Sequence, residues 1–117
     1  MTGERILVVE DEYVVTQDHG DRLKELGYRV AGTAASAEEA ISKAAECGPD
    51  LALVDIRLQG NGDGVTAASE LRKRFGIPTI FLTAYADDET LERARQAGPL
   101  GYLIKPFQDR ELRATIE

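Results

Sequence analysis

The sequence predicts an α/β protein with a doubly wound, five-stranded parallel sheet and helices on both faces. Short, almost wholly apolar runs alternate with helix-length segments five times along the chain. These runs lack the strict apolar–polar alternation of half-exposed strands, which is typical of parallel strands covered on both faces. Strand–helix alternation with right-handed crossovers then gives a doubly wound sheet.

The first half of the chain contains two strand–helix pairs. Arg5–Val9 (RILVV) predicts a fully buried strand, and Tyr13–Leu26 predicts a helix whose apolar stripe ends before a glycine. Tyr28–Ala34 is a weaker strand. Ser36–Gly48 predicts a second helix, because its Ser-Ala-Glu-Glu start has the form of a capping box. His19, the only histidine, lies on the stripe of the first helix and is interpreted as a structural imidazole.

The second half continues the same alternation with three further pairs. The predicted elements, in order, are Leu51–Asp55, Gly64–Phe75, Pro78–Thr83, Asp87–Ala97, Gly101–Lys105 and Gln108–Glu117. Apolar residues at helical spacing from Val65 to Phe75 support the third helix. Acids at the start of the fourth helix favour its dipole. We expect the fifth helix to be truncated at Glu117, as in a domain excised from a longer protein.

The composition narrows the class of protein. The chain has 117 residues, 43% of them hydrophobic, which suits one domain spanning residues 1–117. Its formal net charge of -7 leaves no cationic surface of the kind that nucleic acids require. No apolar run is long enough for a membrane span, and the first residues do not form a signal peptide. A single cysteine, Cys47, excludes an internal disulfide and fits a cytoplasmic location.

Polar side chains follow the predicted strands where the strands end. Glu10 and Asp11 follow the first strand, Asp55 ends the third, Thr83 the fourth and Lys105 the fifth. In a doubly wound sheet the functional crevice lies at the carboxyl ends of the strands. Clustered carboxylates repel one another, and a hard divalent cation such as Mg2+ offsets that repulsion. The sequence therefore predicts a Mg2+ site beside a hydroxyl and an ammonium group.

Four segments in this order resemble the receiver domains of two-component response regulators. They read ILVVEDE, LALVDIRL, IFLTAYAD and GYLIKPF, and together they extend from Ile6 to Phe107. The resemblance implies the flavodoxin-like receiver fold with strand order 2-1-3-4-5. The chain departs from the family in the loop IRLQGNGDG after Asp55, where Gln59 replaces a common proline and one residue is added. The departure leaves the path of that loop open.

The resemblance assigns roles residue by residue. Asp55 matches the phosphoacceptor, on which the domain catalyses its own phosphorylation and dephosphorylation. Glu10, Asp11 and Asp55, with the backbone carbonyl of Arg57, match the Mg2+ ligands. Lys105 matches the lysine that contacts the phosphoryl oxygens. These groups supply the positioning and charge neutralisation on which phosphoryl transfer depends.

The resemblance also implies a switch and a set of partners. Thr83 matches the hydroxyl that binds the phosphate, and Tyr102 matches the aromatic residue that turns inward with it. Their movement would alter the face formed by the fourth helix, fifth strand and fifth helix. The implied partners are a sensor histidine kinase or a histidine phosphotransfer protein, an output domain in the full-length chain, and a second copy in a phosphorylation-dependent homodimer. Neither direct nucleic acid binding by this domain nor a membrane is implied.

Three other classes of protein compete with the receiver interpretation. A degenerate receiver that acts only as a protein-interaction module would usually lack the phosphoacceptor, the acid pair or the lysine, and all of them are present here. An aspartate-nucleophile phosphatase typically has a second acid two residues after the nucleophile, where this chain has Arg57. A dinucleotide-binding fold requires a glycine-rich loop after the first strand, and the residues there are acidic.

Overall fold

The structure, a computed structural model, describes residues 4–56, 64–83, 88–96, 98–104 and 107–116. These residues form one five-stranded parallel sheet in the order β2-β1-β3-β4-β5. The strands are β1 (Arg5–Val9), β2 (Arg29–Ala34), β3 (Leu51–Asp55), β4 (Thr79–Thr83) and β5 (Gly101–Ile104). The predicted fold class and strand order are therefore confirmed.

A helix follows each strand, as the alternation in the sequence predicts. The helices are α1 (Tyr13–Glu25), α2 (Ala37–Cys47), α3 (Gly64–Phe75), α4 (Asp88–Gln96) and α5 (Asp109–Ile116). All of these bounds agree with the predicted bounds to within one residue at each end. The predicted end residues 87, 97, 105 and 117, like the loop 57–63, lie outside the described part of the chain.

Local sequence signals explain two helix ends. Ser36 is the N-cap of α2, and its hydroxyl accepts a hydrogen bond from the Glu39 amide at 3.1 Å. The Glu39 carboxylate in turn accepts from the Ala35 amide at 2.8 Å, one residue before the cap. Gly48 ends α2 with a left-handed φ of 57°. The capping box therefore exists, with its carboxylate shifted by one position.

The two faces of the sheet carry different cores, because alternate strand residues point to opposite sides. Side chains of α2, α3 and α4 cover one face, and those of α1 and α5 cover the other. Among the described residues, the second core contains no alanine, whereas the first includes Ala34, Ala37, Ala40, Ala44, Ala52, Ala67, Ala68 and Ala94. The second core is built from larger side chains such as Leu23, Leu103 and Leu112. The apolar strand runs in the sequence thus reflect burial on both faces.

One residue at the helical spacing of the α3 stripe lies at the surface. The sequence places Phe75 on the apolar face of α3, but this side chain is 40% exposed. Phe75 is the last residue of the helix, and Gly76 then turns the chain with a φ of 67°. Ile77, only 5% exposed, occupies the core instead. The apolar stripe of α3 therefore ends at Leu71.

The register of the sheet brings the strand ends to one edge. Val9 of β1 pairs with Val54 of β3, so the residues that follow them are neighbours. Asp55 pairs with Leu82 of β4. Thr83 pairs with Ile104 at the end of β5. The carboxyl edge thus collects most of the residues that the sequence singles out. No helix within the described ranges is both long and apolar enough to cross a bilayer.

Candidate functional site

Three consecutive carboxylates form a cluster at the end of β1. Glu10, Asp11 and Glu12 each place one carboxylate oxygen within 4.8 Å of the others. Glu10 is buried, Asp11 is half-buried and Glu12 is exposed. The Glu10 amide donates to the Ala34 carbonyl of β2 at 2.9 Å, which holds the chain in line with the sheet as it leaves β1. The cluster is therefore anchored at its buried end.

Thr16 in the first turn of α1 secures the acidic segment. Its hydroxyl donates to the carbonyl of Glu12 at 3.0 Å and lies 3.3 Å from the carbonyl of Glu10. The Glu12 amide points back to the Glu10 carboxylate, with a distance of 3.3 Å to Oε1. The sequence interpretation missed Thr16, although a threonine four residues after an N-cap is a recognisable signal for back-bonding to the helix backbone.

The donor chemistry of this cluster fits a hard divalent cation. All its side-chain donors are carboxylate oxygens, which Mg2+ prefers over nitrogen or sulfur ligands. A bound cation would also offset the repulsion among three adjacent negative charges. The group that the structure assembles contains Glu12, and Asp55 is not a member of it. The sequence interpretation gave Glu12 no role at the site, so the proximity of its carboxylate is a new observation.

Asp55 lies at the end of β3 in a tightly packed backbone environment. Its side chain is only 7% exposed. The next residue, Ile56, donates its amide to the Leu82 carbonyl at 3.1 Å and accepts from the Gly64 amide at 2.8 Å. A Cβ at Gly64 would lie 2.0 Å from the Asp55 carbonyl oxygen and 2.8 Å from the Ile56 Cα. The start of α3 can therefore approach the Asp55 backbone only because residue 64 is glycine.

Thr83 and Tyr102 occupy different environments on neighbouring strands. Thr83 is 4% exposed at the end of β4. Tyr102 is 36% exposed on β5, the edge strand, and its ring stacks on Phe81 with centroids 6.2 Å apart. The neighbouring Ile104 is 56% exposed. The hydroxyl is thus buried beside the candidate site, and the aromatic ring lies at the accessible rim of the sheet.

Two predicted site residues, Arg57 and Lys105, lie outside the described residues. The residues adjoining them along the chain are described. Ile56 precedes Arg57, and Ile104, the last residue of β5, precedes Lys105. Phe107 follows Lys105 by two residues and is 7% exposed. Strand β5, which precedes Lys105, and the buried Phe107, which follows it, are both held in the fold.

A contact between α1 and the segment after Lys105 was not predicted. Arg22 of α1 donates from Nε to Asp109 Oδ1 at 2.6 Å and from a terminal nitrogen to the Phe107 carbonyl at 2.5 Å. Its guanidinium carbon also lies 4.3 Å from the centroid of the Phe107 ring. His19, one turn earlier on α1, places its ring 5.7 Å from the same ring, so the expected structural role of this histidine agrees with its position. An arginine on a helix carries no local signal for partners 85 residues away.

Comparison with known proteins decides the family. Residues 6–117 match the family model described as the response regulator receiver domain. The chain belongs to this family. The match covers every described strand and helix from Ile6 onward, so the resemblance seen in four short segments extends across the domain.

Receiver-containing regulators are among the similar sequences. The transcriptional regulatory protein PdtaR of Mycobacterium tuberculosis is 38% identical over 113 residues, which cover 97% of this chain and 55% of that protein. The phyllosphere-induced regulator PhyR of Methylorubrum extorquens is 36% identical over 112 residues, covering 95% of this chain and 41% of that protein. The chain therefore spans about half the length of these relatives.

Solved receiver structures share the fold closely. The signal receiver domain of a modulated diguanylate cyclase from Desulfovibrio desulfuricans superposes with a TM-score of 0.92 at 39% identity, covering 97% of this chain and 90% of that one. The receiver domain of PhyR from Erythrobacter litoralis gives a TM-score of 0.85 at 34% identity, with coverages of 99% and 88%. These likenesses place the described elements within the receiver fold.

Proposed function

We propose that this receiver domain is a phosphorylation-activated switch whose phosphoacceptor is Asp55. The observation that carries the proposal is the position of Asp55, at the carboxyl end of the central strand β3 and one strand away from the acids Glu10 and Asp11. Membership of the receiver family makes a phosphorylation-dependent signalling role the natural one for this site. The residue assignments below are part of the proposal.

The proposed reaction is a phosphoryl transfer to a carboxylate. An oxygen of Asp55 attacks the phosphorus of a phosphohistidine, forming an acyl phosphate bond as the phosphorus–nitrogen bond breaks. The leaving imidazole takes up a proton and departs neutral. Lys105 offers an ammonium group to the phosphoryl oxygens, where negative charge is concentrated in the transition state. Hydrolysis later returns the carboxylate and releases inorganic phosphate.

The residues proposed to hold Mg2+ are Glu10, Asp11 and Asp55, together with the carbonyl of Arg57. When bound, the cation supplies charge neutralisation for the acids and the phosphoryl group. The buried, anchored position of Glu10 and the half-buried position of Asp11 suit residues that present oxygens in a fixed arrangement. Glu12, which lies in the same carboxylate cluster, adds negative charge at its solvent side.

The proposed response to phosphorylation runs from Thr83 to Tyr102. The Thr83 hydroxyl would bind a phosphoryl oxygen, and Tyr102 would move from the rim of the sheet toward the space that Thr83 leaves. Their strands are hydrogen-bonded neighbours, and Tyr102 already packs on Phe81 of β4. A change at the site could therefore reach the surface of α4, β5 and α5 through one pair of strands.

The proposed partners follow from the receiver family. A sensor histidine kinase or a histidine phosphotransfer protein would donate the phosphoryl group. An output domain, or a second phosphorylated copy, would recognise the changed surface of α4, β5 and α5. The relatives named above are about twice as long as this chain, which is consistent with a receiver that works beside other parts of a regulator.

The proposal is tested by intact mass after incubation with acetyl phosphate. Wild type is expected to gain one phosphoryl group in Mg2+ and none in EDTA. Asp55→Asn should gain none under either condition, because an amide is not a nucleophile of comparable strength. Asp50→Asn is the matched control, since Asp50 is an exposed acid at the opposite end of β3. It should be phosphorylated as wild type is.

Two results would overturn the proposal. A phosphoryl gain that persists in Asp55→Asn would move the acceptor to another residue. Absence of any gain, both with acetyl phosphate and with phosphorylated histidine kinases or phosphotransfer proteins, would favour the degenerate, interaction-only receiver.

A further inference from the structure

Arg22 joins two separate elements of this domain through charged contacts. The Arg22 and Asp109 side chains are 20% and 45% exposed, so the pair is partly shielded from water. The ion pairs Arg22–Asp18, Arg74–Glu70 and Arg95–Glu92 each join positions three or four apart on a single helix. Arg22 instead connects α1 to the beginning of α5, across 87 positions of sequence.

Arg22 binds both a backbone group and side chains at the start of α5. One nitrogen of Arg22 binds the Phe107 carbonyl and another binds the Asp109 carboxylate. The Phe107 ring also contacts the Arg22 guanidinium and lies close to the His19 ring. A planar guanidinium can satisfy such divergent partners at once, whereas a lysine ammonium lacks this fixed fork. The Arg22 clamp, meaning Arg22 with Phe107 and Asp109, thus fixes the main chain at residue 107.

The clamp lies close to Lys105 along the chain. Only residues 105 and 106 separate Phe107 from Ile104, the last residue of β5. Ile104 is held by its pairing with β4 and Phe107 by Arg22, so this two-residue stretch joins two fixed points. One of its two residues is Lys105. Helix α1, which carries Arg22, begins at Tyr13, directly after the carboxylate cluster. One rigid helix therefore connects the acids at its start with the segment that carries the lysine.

We propose that Arg22 is a positioning residue for phosphoryl transfer, acting through Phe107 and Asp109 on the placement of the Lys105 ammonium relative to the acids. The inference rests on the proposed function, because it assumes that Lys105 contacts the phosphoryl group. Arg22 itself does not touch the reacting atoms. Its role is to keep the cation at the distance that the transition state requires, where small displacements have large kinetic effects.

The experiment measures the rate of phosphorylation by acetyl phosphate in Arg22→Met, which keeps an unbranched stem but removes the charge and the donors. At saturating Mg2+ the maximal rate should fall by about tenfold, because the lysine is less well placed in the transition state. The Mg2+ concentration that gives half the maximal rate should stay within twofold, since the acids are untouched. Affinity for trifluoroberyllate, a stable mimic of the phosphoryl group, should fall with the rate.

Companion variants separate positioning from stability. Arg22→Lys keeps the charge and should recover part of the rate, and Asp109→Asn should lower the rate in the same direction by a smaller factor. Asp18→Asn removes the distant partner of Arg22, 3.8 Å away on the same helix, and should leave the rate unchanged. Arg74→Met breaks an exposed ion pair on α3 and is the control for loss of an arginine in general. Urea unfolding of each variant records its stability.

The outcomes are distinct. A lower maximal rate with unchanged Mg2+ dependence, in variants that remain folded at the assay temperature, supports the proposal. A rate within twofold of wild type in folded Arg22→Met overturns it. If Arg22→Met and Asp109→Asn both fail to fold, Arg22 is structural only and the proposal is also overturned. If wild type itself gains no phosphoryl group, the proposed function fails and not merely the role of Arg22.

Discussion

The end of β3 and the edge strand β5 share one sheet but differ in how firmly their residues are enclosed. At the end of β3, Asp55 is 7% exposed and the backbone of Gly64 lies against its carbonyl. On β5, Tyr102 and Ile104 point outward and are 36% and 56% exposed. The β3 end has a pairing strand on each side, whereas β5 has only β4. The same fold therefore offers one closely packed position and one accessible position.

This difference suits the two tasks proposed for this domain, phosphoryl acceptance at Asp55 and a change of surface near β5. Chemistry at a carboxylate requires fixed geometry, which is easiest to provide at the centre of a sheet. Transmitting a chemical change to a partner protein requires exposed residues that can move, and the centre of the sheet does not provide them. The rings of Phe81 and Tyr102 join the two regions, because one is buried in β4 and the other lies on β5. Substitutions on either side of this boundary should have unequal effects.

The largest contrast is expected between the two stacked rings. Phe81→Ala removes a fully buried ring and should lower the free energy of unfolding by about 3–5 kcal/mol, mainly through the cavity that it leaves. Tyr102→Ala should lower it by about 1 kcal/mol or less, because the ring is already partly in water. Urea unfolding measures both values. Equal losses would contradict the distinction between centre and edge.

A second contrast concerns two glycines, one whose added Cβ would meet other atoms and one whose added Cβ would meet none. Gly64→Ala should destabilise by about 1–3 kcal/mol and slow phosphorylation, because its Cβ would press on the Asp55 carbonyl. Gly48→Ala is the control, since nothing lies within 4 Å of its Cβ and only its positive φ is strained, which costs about 1 kcal/mol. Phosphorylation rates distinguish them. Gly48→Ala should phosphorylate at the wild-type rate, and a normal rate in Gly64→Ala would show that the contact is unimportant for chemistry.

A third contrast lies within the acidic cluster. Asp11→Asn should weaken Mg2+ binding by about tenfold or more, because it replaces a proposed direct ligand in a half-buried position. Glu12→Gln should weaken binding by about twofold, since an exposed carboxylate is screened by water and salt. Titration calorimetry with MgCl2 gives both constants. If Glu12→Gln has the larger effect, the ligand set must be redrawn around Glu12.

The smallest effect on stability is expected at Ile104. Ile104→Thr keeps a branched residue on the edge strand and exposes no new buried surface, so stability should change by about 0.5 kcal/mol or less. The variant Ile104→Thr serves to probe the surface of α4, β5 and α5. If β5 participates in phosphorylation-dependent pairing, this variant should be phosphorylated normally but dimerise less in sedimentation experiments. A dimer of unchanged strength would remove Ile104 from that surface.

Most of the fold could be predicted from sequence because each element carried a local signal. Apolar runs marked the strands, and Ser36 with Glu39 marked the start of α2. The strand order was implied only by the family resemblance, since apolar runs do not specify which strands are neighbours. The helical spacing from Val65 to Phe75 did not show where α3 leaves the core, because spacing alone carries no information on burial.

The candidate site was predictable in part for the same reason. Acids and a threonine at strand ends were visible as residues, and parallel topology implied that they share one edge. Contacts between distant positions were not visible. Arg22 could not be connected with Phe107 and Asp109 until the fold had placed α1 beside α5. The close approach of Gly64 to Asp55 likewise depends on tertiary packing, which leaves no periodic trace in the sequence.

The alanine-rich core beneath α2, α3 and α4 bears on how this domain can change over generations. Half of the side chains in this core are a single methyl group, so almost every substitution adds volume. The close-packed helices cannot move apart to accommodate it without strain. The opposite core, made of leucine, isoleucine, valine and aromatic residues, can exchange one large side chain for another of similar size. Sequence drift should therefore be slow on one side of the sheet and permissive on the other. In a saturation-mutagenesis library scored for folding, substitutions should be tolerated less often on the alanine-rich face of the sheet than on the opposite face.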